Sequence, residues 1–267
     1  DKIRDYLTQL KSPFSGREAE VAAAAIMTTD THPKVASASA GQATIVGIAK
    51  GVGMIEPNMA TMIAIITTDA EINSDRLDEI FRRIVDKTFN ALSVDTDTST
   101  SDMAIVLASG QAGAVAEYQF ECALSAVCLD LTRQLAADGE GAETLIVVDV
   151  TSARDREQAR RVAKAIVNSP LVKTAIHGRD PNWGRVAMAI GKCGDADINQ
   201  QDVSIYFGDQ EVYPTPASPQ KLTELETYLA SEEVRITADL GIGDGTFTAY
   251  GCDLTDRYVR INADYTT

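Results

Sequence analysis

The chain has 267 residues, 45% of them apolar and 24% charged, which is long enough for one large domain or two ordinary ones and too apolar for a disordered chain. Lysine and arginine number 24 against 39 aspartates and glutamates, a net charge of −15, so the chain repels phosphate backbones and is not a general nucleic-acid binder. No run of about 18 uncharged apolar residues is present to span a membrane. The start, DKIRDYLTQL, has no initiator Met and no apolar stretch of the signal-peptide kind, and it reads as a segment from inside a longer reading frame.

Taken in chain order, Arg17 to Met27 carries an alanine run of high helix propensity, broken before Pro33. Ala43 to Ile48 reads as a short strand, and Lys50 to Ala60 as a loop punctuated by glycine and proline. Thr61 to Thr68 is an apolar run of strand length, expected to be buried on both faces. Asn73 or Ser74 caps a helix with an apolar stripe through Leu77, Ile80, Phe81, Ile84 and Val85. Met103 to Ala108 reads as a second buried strand. Glu117 to Ala137 is a long helix that turns Phe120, Leu124, Val127, Leu131 and Leu135 inward.

Leu145 to Val150 is a strand, and Asp155 to Val167 a helix with surface arginines. Beyond Pro170, Leu171 to Ile176 reads as a strand, a helix starts at Asp180 to Trp183, and Leu222 to Leu229 is helical. Ser204–Phe207, Val234–Asp239, Gly245–Tyr250 and Tyr258–Asn262 alternate apolar and polar residues, as half-exposed antiparallel strands do. Pro214, Pro216 and Pro219 mark a surface connection. The texture gives a mixed α and β chain with an N-terminal core and a smaller C-terminal domain. The four cysteines, Cys122, Cys128, Cys193 and Cys252, form no CxxC pair and are expected as free buried thiols in a reducing compartment, the cytoplasm.

Familiar catalytic motifs are missing. The two histidines, His32 and His177, lie in neither a GxSxG nor an HExxH context, and Gly51 to Gly53 lacks the ending of a phosphate-binding loop. The junction Ala60–Thr61 stands out, where a loop feeds a small residue, a threonine and then a strand. A threonine hydroxyl is a poor nucleophile without an adjacent base. A cut before Thr61 would supply one in its own α-amine, whose pKa lies near 8. The bland reading is a threonine at a strand start. Asn90 to Asp102 collects Asp95, Asp97 and Asp102 among hydroxyls. It reads as a metal loop or, with more weight, as a capped turn, because the glycine and terminal glutamate of a calcium loop are missing.

Six stretches resemble the ornithine acetyltransferases, the glutamate N-acetyltransferases of arginine biosynthesis. They are Met27–Thr31 (MTTDT), Gly47–Thr61 (GIAKGVGMIEPNMAT), Phe89–Asp102 (FNALSVDTDTSTSD), Asp138–Gly141 (DGEG), Asn168–Lys192 and Tyr250–Thr267. The resemblance implies an α+β fold: a layered αββα sandwich core over residues 1–160 and a smaller α/β domain over 161–267. It implies self-cleavage between Ala60 and Thr61, so that 1–60 ends a first subunit and 61–160 begins a second. Thr61 would then be the catalytic nucleophile, carrying acetyl from N2-acetylornithine to glutamate by a ping-pong route.

Implied substrate contacts are Thr28 or Thr29, Lys50, Thr61, Glu140, Asn262 and Thr267. Lys50 suits an α-carboxylate, Glu140 an ornithine ammonium, and Asn262 and Thr267 neutral hydrogen bonds. Neither cofactor nor metal is implied, although acetyl-CoA is a possible second donor. The two fragments are expected to pair into a heterotetramer or a larger assembly. His177 and Trp183 are assigned to packing between the domains. Family members carry a further hundred residues or more before the MTTDT stretch, including a threonine-glycine pair that forms the oxyanion hole. The rival functions are a self-cleaving aminopeptidase or amidase, with water as acceptor, and a non-catalytic amino-acid-binding paralogue.

Overall fold

The computed structural model describes residues 18–56, 62–97, 99, 101–215 and 218–264. Ala60, Thr61 and Thr267 therefore lie outside the described residues. The fold is α+β, with two sheets and helices layered against them. The first sheet has the order β1-β2-β3-β4, from Lys34–Ala40, Ala43–Lys50, Ile63–Glu71 and Met103–Ala114. Its first three strands run antiparallel, and β4 joins β3 in parallel after a crossover. That crossover carries α2 (Ser74–Lys87), which follows α1 (Ala19–Ile26), and a single 3-10 turn at Phe89–Ala91. The Asn73 side chain caps α2 by accepting from the Asp75 and Arg76 N–H groups.

The second sheet has the order β7-β6-β8-β5-β9, from β5 (Leu145–Ala153), β6 (Ser204–Phe207), β7 (Gln210–Tyr213), β8 (Glu233–Asp239) and β9 (Gly245–Cys252). Here β5 pairs in parallel with β8 and antiparallel with β9. Helix α3 (Glu117–Ala137) packs on β1 and β2 and also reaches β5 and β9. Its buried positions, Phe120, Ala123, Leu124, Val127, Cys128, Leu131, Thr132, Leu135 and Ala136, cover well over half the helix circumference. A helix buried on so wide an arc ties both sheets into one core. Helix α4 (Arg156–Val167) covers β5 and β9. It is followed by α5 (Pro170–His177), α6 (Trp183–Gly191), α7 (Pro219–Tyr228) and α8 (Asp256–Asp264).

Several sequence expectations need correction. Leu171 to Ile176 is helical: Ser169 caps α5, and Pro170 fills the first turn, where no N–H is needed. Tyr258 to Asn262 is also helical, within α8. The strand at β3 is buried on one face only, through Ala64, Ile66, Thr68 and Ala70; Thr67 and Glu71 are exposed. Likewise β4 is no buried strand, since it is the edge of its sheet and Leu107 is 57% exposed. All four cysteines are free, but Cys122 is exposed and Cys193 only half-buried. No described helix is long and apolar enough to cross a membrane.

Candidate active site

Register alone gathers the first side chains. Lys50, the last residue of β2, pairs with Ile63, and Ile63 pairs with Met103. One end of the first sheet therefore holds the exit of β2 and the entries of β3 and β4. Met62, one residue from Thr61 in the chain, is held on both sides there. Its N–H donates to Asp102 Oδ1 at 2.5 Å, and its carbonyl accepts the Met103 N–H at 2.9 Å. Burial pushes the Asp102 carboxyl up to about 6, against the Met62 hydrogen bond and the nearby charge of Lys50, which both pull it down. Lys50 itself is buried, at 8% exposure.

The loop that leaves Lys50 is pinned at each residue it needs. Gly51 N–H donates to Asp30 Oδ1 at 2.7 Å. Val52 carbonyl accepts the Glu140 N–H at 2.8 Å. Met54 and Ile55 N–H donate to the two oxygens of Asp95 at 2.7 and 2.9 Å. Glu56 N–H donates to the Asp97 carbonyl at 3.0 Å, and Val94 N–H to the Ile55 carbonyl at 2.6 Å. Asp95 spends both carboxylate oxygens on loop backbone and Asp97 gives its backbone carbonyl to the same loop, which favours the turn. Gly53 lets Glu140 approach: a Cβ there would lie 2.5 Å from the Glu140 carboxyl carbon. Glu140 in turn accepts a hydrogen bond from Asn262 Nδ2 at 2.8 Å, from α8. Tyr258, one turn earlier, is pushed up to about 12 by burial and by the charges of Asp95 and Glu140.

A second network holds this loop to the core. Lys34 is fully buried and donates to Asp30 at 2.7 Å and to Asp138 at 2.5 Å. Asp138 is the C-cap of α3, an unfavourable place for a carboxylate. Lys34, together with the Thr31 N–H and hydroxyl, offsets that position. Burial raises the Asp30 carboxyl, but hydrogen bonds from Gly51 N–H, Lys34 and Thr28 N–H outweigh it, and the net shift is downward. Asp30 therefore links Thr28 to Gly51.

The structure places Lys50 at the sheet end, joins Glu140 to Asn262, and ties Thr28 to the Lys50 loop through Asp30. Thr28 and Thr29 are exposed beside that buried carboxylate. His177 Nδ1 lies 3.2 Å from Asp253 Oδ2 and 3.8 Å from Glu143. Asp253 also accepts the Glu143 and Thr144 N–H groups, which ties the exit of the DGEG turn to the residue after β9. Trp183 stacks on Tyr213, with ring centroids 4.8 Å apart, and joins α6 to β7. Asp30, Asp102 and Asp138 were not named as site residues from sequence, although each falls inside a stretch that carries the family resemblance.

The ArgJ family model matches residues 1–267. The glutamate N-acetyltransferase Oat2 of Streptomyces clavuligerus is 54% identical over 273 residues, covering the whole of this chain and 70% of that protein. The arginine biosynthesis bifunctional protein ArgJ of Rhodococcoides fascians is 55% identical over 253 residues, 94% of this chain and 63% of that one. The crystal structure of the arginine biosynthesis bifunctional protein ArgJ from Bacillus halodurans superposes with a TM-score of 0.70 at 44% identity, covering 74% of this chain and 97% of that chain.

Proposed function

The chain belongs to the ArgJ family, and from that premise we propose that it is an acetyltransferase of arginine biosynthesis that moves acetyl from N2-acetylornithine to L-glutamate. The chain is first cut between Ala60 and Thr61. The Thr61 hydroxyl attacks the acetyl carbonyl carbon while the Thr61 α-amine takes the hydroxyl proton. The carbon–nitrogen bond then breaks, and that proton leaves on the amine of ornithine. Thr61 is left as its acetyl ester. The α-amine of glutamate attacks the ester, N-acetylglutamate departs, and the hydroxyl is restored. Lys50 receives the α-carboxylate of each amino acid, and Glu140 receives the side-chain ammonium of ornithine. Thr28 or Thr29, Asn262 and Thr267 supply neutral contacts.

One observation carries this reading. Lys50 pairs with Ile63, the first residue of β3 and two residues after Thr61 in the chain, while the loop from Lys50 is fastened to the backbone of Glu140. A cation thus stands at the sheet end, and an anion is fastened to the loop that leaves it, as an amino acid with a charged side chain requires. Helix α8 adds Asn262 to the Glu140 side.

The test supplies purified protein with acetylornithine and glutamate. N-acetylglutamate and ornithine should appear in equal amounts. Acetate in place of N-acetylglutamate would make the protein a hydrolase of the same fold, and no turnover in a cut, folded protein would overturn the reading.

A further inference from the structure

Helices α4, α5 and α6 frame an open cavity of about 610 Å³. Asn168 on its wall donates at 2.8 Å to Glu56, in the loop that leaves Lys50. Arg161 and Lys164 both reach the cavity because they stand three residues apart on α4; Met188 and Lys192, four apart, do so from the end of α6. The lining thus holds three cations and no carboxylate, in a chain whose net charge is −15. Arg161 is paired with Asp195 at 2.5 Å, whereas Lys192 is exposed and has no ion-pair partner among the described residues. Lys164 donates to the Leu92 carbonyl at 2.7 Å, with Glu56 3.7 Å away. Burial still pushes its ammonium down to about 8, against the pull of Glu56 and with a further push from Arg160. Negative charge is therefore in short supply around Lys164. Two large apolar side chains share the lining and stay open to solvent, Leu171 at 49% exposure and Met188 at 44%.

We propose that this cavity binds a small organic anion, its charged head at Lys164, Lys192 and Arg161 and its apolar body along Leu171 and Met188. A lone surface lysine or a lone exposed leucine needs no ligand to explain it. Here cations without carboxylates and uncovered apolar side chains line the same concavity, which is the make-up of a small-molecule site. Carboxylate and phosphate share the required head chemistry, and the probes below separate them. Anion binding here takes no part in the acetyl transfer and does not depend on the cut before Thr61.

Phenyl phosphate and phenylacetate are the probes, with inorganic phosphate as the head alone and benzyl alcohol as the body alone. Each is titrated calorimetrically into the purified full chain. At least one aromatic anion should bind once per chain, more weakly as salt rises, and roughly tenfold or more tightly than phosphate or benzyl alcohol. The tighter of the two identifies the head. Lysine Cε carbon-13 shifts, with Lys164 assigned through Lys164→Arg, follow its ammonium across pH. A bound anion favours the charged form, so the Lys164 midpoint should rise by about half a pH unit or more. Lys192→Met should weaken binding roughly twofold to fivefold, and Met188→Ser by a similar factor, with circular dichroism unchanged. Absence of saturable binding below about 10 mM would overturn the site. So would binding that leaves the Lys164 midpoint unmoved, or that persists unchanged in both folded variants, since the probe would then sit elsewhere. Inorganic phosphate binding as tightly as the aromatic anions would reduce the site to general attraction by surface charge and overturn it too.

Discussion

Lys34 is a cation with no solvent and two carboxylates, and its worth lies in what its removal would strand. Replacing it with Met leaves Asp30 and Asp138 buried beside each other without a counter-charge, which should cost ~3–5 kcal/mol in urea unfolding. Asp30 adds a pH signature. Its folded pKa lies below its ordinary value of 3.8, so it contributes stability above that value and loses it as pH falls through the lower one. The stability gap between wild type and Asp30→Asn should therefore be full at pH 6 and shrink below about pH 4. A gap that does not change with pH would remove the ionised carboxylate from the network. Gly53→Ala is a sharper probe of the site. The backbone tolerates it, but the new methyl overlaps the Glu140 carboxylate, the mobile end of that side chain. KM for acetylornithine should rise several-fold while thermal stability stays within about 0.5 kcal/mol. An unchanged KM would remove Glu140 from the substrate.

At the scale of elements, β2 and α3 meet without room to spare. A Cβ at Gly47 would sit 2.8 Å from both Val127 Cγ1 and Leu131 Cδ1. Gly47→Ala should cost ~1–3 kcal/mol by overpacking, and Leu131→Val in the same chain should recover part of it. A neutral single variant would mean that the helix gives way. The long helix and the capped α2 were legible in the sequence because their apolar stripes run for several turns and Asn73 declares the start. Leu171–Ile176 and Tyr258–Asn262 were not, because five or six residues hold too little of either period to separate strand from helix. The burial of β3 and β4 was overstated for a related reason. An apolar run reports what a strand can bury, while edge position and cover are set by other elements.

The site was legible unevenly, and the cause is distance along the chain. Lys50, Glu140 and Asn262 stand in stretches that carry the family resemblance. The reasons they converge, Asp95 on Met54 and Asp102 on Met62, each span 40 or 41 residues and leave no periodic trace. Among the described residues, Asp102 read only as one of three loop carboxylates until β4 set it beside β3.

For the molecule as a whole, both sheets share one core through α3, and the chain matches its Streptomyces relative along its full length. Every assignment made for Lys50 and Glu140 presumes a nucleophile at Thr61. Intact-mass measurement of the purified protein, incubated with acetylornithine and no glutamate, tests that directly. The account predicts two pieces, the second beginning TMIAIITT and heavier by one acetyl group, which glutamate then removes; Thr61→Ala should remain a single chain. A folded wild-type chain that stays whole and takes up no acetyl group, or a Thr61→Ala chain that still splits at the same bond, would contradict it.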